Sequence, residues 1–359
     1  MLFATPSLEP HGSALSQLSE LRSELGVQVS RATPWAGQLR RQAKSATARS
    51  SIAIEGFYVS EEVASAVIDG RATPGSADQR AFADYALAMQ HVAVLADDPS
   101  FTWNDRVLLD LHFEACSSAP KGRPGRWRTG PVLVTAPGGG VAYRAPDADD
   151  VPGLIDELVG WLDRGDLRAP AVVRAAMAHL NLVSIHPFND GNGRISRITQ
   201  SLVLARDGVL SPELGSIEEY LAQDTTGYYD VLREVQGGTY KPERTAEPWL
   251  VFCIEAHTKQ ARERLKTLKR AGQRWTALER LVEDRGWPDR LAIALEQSLF
   301  GGVDRASYSN EAAVSTATAS TDLRRLQDAG LIASRGRGRN TRYVAEPGLQ
   351  RLVAESEDA

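Results

Sequence analysis

The stretch His186-Pro187-Phe188-Asn189-Asp190-Gly191-Asn192-Gly193-Arg194-Ile195-Ser196-Arg197 decides how the rest of the chain is read. Pro187 ends the helical pattern before it, Asp190 to Gly193 form a turn, and a new helix is expected from Arg194. Gly191 and Gly193 let the backbone approach an anion closely. The first free amides of the new helix point at that anion, with the helix dipole behind them. A phosphate nest is the expectation. Arg194 and Arg197 share a helical face, while Ile195, Ile198 and Leu202 are left for the core. Two guanidiniums beside the nest suggest a polyphosphate. Asp190 supplies a hard oxygen ligand suited to Mg²⁺, which normally binds through one or two carboxylates and the phosphates of its substrate. His186, of a residue type that titrates at about pH 6.5, is the nearby group suited to removing a hydroxyl proton. Taken singly, a histidine at a helix end is usually structural and a Gly-Asn-Gly turn is usually a plain helix start. Together they point to a nucleotide with its magnesium.

Outward from this stretch, 359 residues leave room for two or three packed units. Apolar residues recur every three and four positions along most of the chain, predicting a mainly α protein. Trp35 to Glu55 reads as a helix stopped by Gly56, and helical pattern returns at Val151–Leu162 and Ala171–Ile185. VLVTAP and VAYRAP, at residues 131 to 145, flank Gly138-Gly139-Gly140 and predict a β-hairpin. No run of about 18 apolar residues reads as a membrane span, and the N-terminus lacks the pattern of a secretory signal. Cys116 and Cys253, far apart and outside any metal-ligand spacing, fit a reducing cytoplasm. The net charge of −5 argues against the whole molecule gripping polyanions without specificity.

HPFNDGNGRISR resembles the signature of Fic-domain proteins at each defining position. The likeness extends through GRWRTGPV, the hairpin, YYDVLREV and EPW, roughly residues 30 to 255. It implies a helical Fic core with a β-hairpin flap, and a protein adenylyltransferase that moves AMP from ATP to a Ser, Thr or Tyr hydroxyl of a target protein, or of itself. His186 would be the base, Phe188 the core anchor of the loop, and Asp190 the Mg²⁺ ligand. Asn189, Asn192 and the amides around Gly191 and Gly193 would surround the nucleotide, with Arg194 and Arg197 on its outer phosphates. Tyr228 and Tyr229 would border the adenine, unless they are plain core aromatics. Relatives resembling the phosphorylating Doc toxins carry lysine where Gly193 stands, so glycine favours adenylyl transfer. UTP or GTP as donor stays open. The flap would register a target segment by adding it as a strand.

Ser51-Ile52-Ala53-Ile54-Glu55-Gly56 is similar to the inhibitory motif of Fic proteins. A glutamate at a helix C-terminus opposes the dipole, at a cost of about 0.3–1 kcal/mol, and calls for a cationic partner. The resemblance names Arg197, the guanidinium otherwise meant for the γ-phosphate, with Ser51 one turn earlier on the same face. An exposed, unpaired glutamate is the plain alternative. The same carboxylate could instead activate a water to remove AMP, and the sequence does not choose.

The domain expectation is an N-terminal region with the inhibitory helix at 1–90, the Fic core at 91–257, a charged connector helix at 258–274 and a last domain at 275–359. In that last part NEAAVSTATASTDLRRLQDAGLI reads as two helices and a turn, and ASRGRGRNTRYVA as a β-ribbon. Together they resemble a small α+β winged-helix domain. Gly301 to Arg342 holds seven arginines against four acids, and Arg335, Arg337, Arg339 and Arg342 stand in the ribbon without one acid. DNA is therefore a candidate partner, against a role in dimerisation or protein docking. The rival to an enzyme is a DNA-binding transcription regulator whose Fic part senses nucleotide. Whether the chain forms a homodimer is left open; no membrane contact is expected.

Overall fold

The computed structural model describes residues 1–30, 35–135, 139–336, 338 and 341–357. It is mostly helical and divides into two compact units, Met1–Val27 with Gln42–Glu263, and Gln28–Arg41 with Arg264–Ala359.

The first unit begins with α1 (Gly12–Ser30) and most of α2 (Ala36–Ile54), followed by α3 (Glu61–Ile68), α4 (Ala77–Asp97) and α5 (Asp105–Cys116). Their starts are chemically marked. Ser60 and Asn104 accept backbone amides at the N-caps of α3 and α5, and Ser76 with Gln79 closes a capping box on α4. Strands β1 (Leu133–Thr135) and β2 (Val141–Arg144) then pair antiparallel, Leu133 opposite Arg144 and Val134 opposite Tyr143, with an irregularity after Val134. Gly139 and Gly140 have φ of 86° and 85°, which a tight turn needs and side chains resist; Gly138 lies outside the described residues. Tyr143 reaches inward, its hydroxyl donating to the Ser184 carbonyl at 2.6 Å, and the Arg144 amide donates to the Gly238 carbonyl at 2.9 Å.

Helices α6 (Val151–Arg164), α7 (Ala171–Ile185) and α8 (Asn192–Ala205) follow, then α9 (Pro212–Gly215), α10 (Glu218–Gln223), α11 (Thr225–Gln236) and the first part of α12 (Glu247–Glu283), whose residues from Arg264 on belong to the second unit. The α7–α8 pair is central: Val172 to Ile185 is buried apart from Arg174, and so is every residue of α8 except Gly193. Alanines 175, 176 and 178 let neighbours approach α7, while Leu182, Ile185, Ile195, Ile198 and Leu202 fill the core between. Yet α8 also buries Asn192, Arg194, Arg197 and Gln200. Buried polar groups need partners, so this helix carries more than packing.

In the second unit, α13 (Leu291–Leu299), α14 (Arg305–Glu311) and α15 (Thr316–Asp328) are followed by β3 (Ile332–Arg335), β4 (Arg342–Ala345) and α16 (Pro347–Glu357). The strands pair antiparallel from Ile332–Ala345 to Arg335–Arg342. Leu291, Leu295, Tyr308, Leu323, Leu326 and Leu349 form its core. Arg274 and Glu296 make a buried ion pair at 3.0 Å. Arg337 and Arg339 of the ribbon lie outside the described residues.

Candidate functional site

Helix α7 stops because His186 turns left-handed, at φ 52° and ψ 55°, directly before Pro187. A positive φ is uncommon outside glycine, and histidine is among the residues that tolerate it. The bend is held on its outer side by Arg128. The Arg128 Nε donates to the His186 carbonyl at 2.8 Å, its other nitrogens donate to the Gly130 and Pro146 carbonyls, and its amide donates to the Pro187 carbonyl at 2.9 Å. The His186 Nδ1 stands 3.0 Å from the Val183 carbonyl, which can only accept. The proton is therefore on Nδ1, and Nε2 keeps its lone pair. Burial is the main cause holding this imidazole below its ordinary pKa, so it is neutral at pH 7.

The loop after Pro187 is tied by Asn192, whose side chain accepts from the Phe188 amide and donates to the Phe188 carbonyl, both at 2.9 Å. With the loop closed this way the new helix starts at Asn192, two residues before the expected Arg194, and Gly191 is its left-handed N-cap at φ 80°. A Cβ on Gly191 would come within 2.4 Å of the Cys116 Sγ; one on Gly193 would stand 2.6 Å from the Glu55 Oε1. Space and backbone conformation both demand glycine at 191, whereas at 193, in ordinary helix, a Cβ would meet only the ends of the Glu55 and Arg197 side chains. Phe188 is fully buried, stacked on His112 with ring centroids 3.6 Å apart.

The Asp190 Oδ1 accepts from the Gly191 amide at 2.7 Å and its Oδ2 from the Arg194 Nη2 at 3.1 Å. The side chain is 55% exposed and each oxygen keeps a free lone pair. Among the described residues no three His, Cys, Asp or Glu side chains gather as a metal site. A lone carboxylate fits Mg²⁺ that arrives with substrate phosphates and keeps much of its water, rather than a resident structural metal.

The two arginines of α8 do different things. Arg194 turns away from the space expected to hold outer phosphates: its Nη1 donates to the Ala115 carbonyl at 3.2 Å and its Nη2 to Asp190. Only 3% exposed, it uses both Nη atoms to brace the loop, while its Nε is buried with no hydrogen-bond partner among the described residues. Arg197 faces the site. Its Nε donates to the Ser51 hydroxyl at 2.8 Å, and its Nη2 to the Ser51 carbonyl at 3.1 Å and the Glu55 Oε1 at 2.8 Å. Its Nη1 is buried and has no hydrogen-bond partner among the described residues. Burial alone would lower this guanidinium's pKa, but the Glu55 carboxylate outweighs it and holds the group above its ordinary value. Glu55 reaches this position from just beyond the end of α2, where Gly56 takes φ 86°.

A cavity of about 460 Å³ joins these groups. His186, Asn189, Asp190, Gly191, Asn192 and Gly193 form one side, Arg197 and Glu55 another, and Val134 and Thr135 of the hairpin a third. Tyr228 and Tyr229 also line it. Tyr229 is 40% exposed, whereas Tyr228 is buried and its hydroxyl lies 3.1 Å from the His179 Nε2, within a chain that continues through Gln200 to His257. Tyr228 is therefore a core aromatic with one edge at the cavity. His112 and Arg128 went unread from sequence: Arg128 lies inside GRWRTGPV without a role, and His112 sits in an otherwise ordinary amphipathic helix.

Residues 103–204, from just before α5 to the end of α8, match the Fic/DOC family. The chain contains a Fic/DOC domain. Protein adenylyltransferase fic-1 of Caenorhabditis elegans is 30% identical over 164 residues, covering 44% of this chain and 31% of that protein. Protein adenylyltransferase Fic of Nematostella vectensis is 27% identical over 218 residues, covering 56% and 47%. The matched region thus spans a third to a half of these relatives. A crystal structure of a Fic family protein from Desulfovibrio desulfuricans G20 superposes with a TM-score of 0.58 at 25% identity, covering 92% of this chain and 96% of that one.

Proposed function

We propose that this chain is a protein adenylyltransferase, transferring AMP from ATP to a hydroxyl of a target protein, and that Glu55 holds it inactive. One observation carries the reading: His186 with a bare Nε2, the amides of the Gly191–Gly193 turn, Asp190 and Arg197 all border one cavity, beside a hairpin. The relatives named adenylyltransferases support it. The target hydroxyl gives its proton to His186 Nε2 as its oxygen attacks the α-phosphorus. The bond from that phosphorus to the bridging oxygen breaks, and pyrophosphate leaves. The amides at the start of α8 hold the α-phosphate, and Asp190 would hold Mg²⁺, which would neutralise charge on the leaving phosphates. Arg197 takes the outer phosphates once Glu55 lets go. Arg194 serves from behind, fixing Asp190.

The test is labelling with [α-³²P]ATP in lysate. Glu55→Gly is expected to raise labelling of targets and of the chain itself at least tenfold, about 1.4 kcal/mol on the productive state. His186→Ala in that background is expected to abolish it. Equal labelling by the parent chain and Glu55→Gly would remove the brake; labelling that survives His186→Ala would remove the mechanism.

We further infer that the second unit is a winged helix that contacts duplex DNA. In favour are the exposed Arg324 and Arg325 on α15 and the cross-strand pairing of Arg335 with Arg342.

A further inference from the structure

Of the buried imidazoles in the Fic/DOC domain that the mechanism does not use, His112 is the one that touches the nucleotide loop. His112, near the end of α5, is fully buried. Its Nδ1 lies 2.9 Å from the Gly125 amide and its Nε2 lies 2.9 Å from the Asp190 carbonyl. An amide only donates and a carbonyl only accepts. Both bonds exist together in a single form, the neutral ring with its proton on Nε2. That ring is stacked flat on Phe188, with 7° between the planes, so its direction is fixed as well as its proton.

We propose that His112 is a positioning residue for the nucleotide loop, its Nε2–H holding the Asp190 carbonyl so that the Asp190 carboxylate faces the cavity. The proposal rests on the reading of Asp190 as the carboxylate that meets Mg²⁺. The peptide from Asp190 to Gly191 carries both ends of the arrangement: its carbonyl bonds His112, and its amide bonds the Asp190 Oδ1 at 2.7 Å. Turning that peptide would swing the carboxylate. Arg194 grips the Asp190 Oδ2 at 3.1 Å and the Ile195 amide donates to the Gly191 carbonyl at 3.0 Å, but the Asp190 carbonyl itself is held by His112; Gly191 has no side chain, and a Cβ there would stand 3.2 Å from the His112 Nε2. Gly122 closes the far side, where a Cβ would lie 3.2 Å from that of Asp190. His112 therefore joins three segments, α5, the loop at 122–125 and the loop at 188–191, with two directional bonds and one ring face.

The experiment compares His112→Phe, which keeps a ring to stack on Phe188 but drops both bonds, with His112→Gln, which returns a donor at a similar reach. Both are made in the Glu55→Gly chain. Mn²⁺ binding in the presence of ATP, followed by electron paramagnetic resonance, is expected to weaken at least tenfold in His112→Phe, as loss of an outer-shell partner does. It should recover in part in His112→Gln. The Mg²⁺ concentration for half-maximal labelling should rise in step, with saturating Mg²⁺ restoring most of the rate. In the unaltered chain, long-range ¹H–¹⁵N spectra should show a proton on the His112 Nε2 and a bare Nδ1. A folded His112→Phe with unchanged Mn²⁺ binding, or a proton found on Nδ1, overturns the proposal. Should His112→Phe fail to fold, the imidazole spectrum and His112→Gln decide it. An absence of labelling in Glu55→Gly itself would sink the enzymatic reading instead, and Mn²⁺ binding would still judge His112.

Discussion

A base works only while its lone pair is bare, and the surroundings of His186 keep it so. Burial lowers its pKa, so the neutral ring persists to more acid solution than a free imidazole allows. The sign follows: the rate should stay level across neutrality and fall only as the pH drops through the lowered value. For the Glu55→Gly chain, kcat/KM against pH is expected to show an acid limb centred below about 6.5. A limb centred at or above 6.5 would mean that His186 is not the base, or that its site is wetter than its burial implies. The loop-bracing Nη atoms of Arg194 and the cavity-lining Arg197 with its unpaired Nη1 make the same point about neighbours. Identical side chains three residues apart differ in what they can offer a ligand because only one borders the cavity.

Among elements, the hairpin is placed by a few identifiable bonds, and one of them reaches α7 beside the base. Tyr143 enters from β2 and donates to the Ser184 carbonyl of α7, two residues before His186. Tyr143→Phe should cost the fold only about 0.5–1.5 kcal/mol. Its larger effect is expected on the KM for a protein target, raised severalfold with the KM for ATP unchanged, read by initial-rate labelling. Equal effects on both would mean that the hairpin does not align the acceptor. Elements of this kind were legible in the sequence where their cause was local. Apolar periodicity placed α7 at Ala171–Ile185, Gly56 stopped α2, and turn glycines placed the hairpin. What escaped was set by partners distant in the chain. Arg194 turns toward Ala115, 79 residues away, and His112 meets Asp190 across 78, neither of which any window of sequence reports. The early start of α8 escaped for another reason. Asn192 reads as a ligand-facing amide until its side chain is seen wrapped around Phe188.

For the whole molecule, charge is the property that separates the two units. The net charge of −5 repels a polyanion in bulk, so any grip on DNA must be local to Arg324, Arg325 and the ribbon. Retention of the full chain on duplex DNA is expected to fall steeply as salt rises. Replacing Arg324 and Arg325 by alanine should flatten the log–log slope by about one for each phosphate no longer neutralised. A slope unmoved by these changes would assign the unit to protein docking. Such salt dependence would be independent of Glu55, so the two activities can be separated in one preparation.

Two-stranded sheets carry a hazard of their own, since an open edge on each side lets copies stack without limit. Here the outer side of β2 is closed at Arg144 by the chain at Gly238 and Thr239, while β1 pairs only with β2 among the described residues. A strand can therefore add to β1, while the far side of the hairpin is already paired at Arg144. Two hairpins meeting edge to edge through β1 would then turn outward only β2 sides already paired at Arg144, which limits stacking into a fibre.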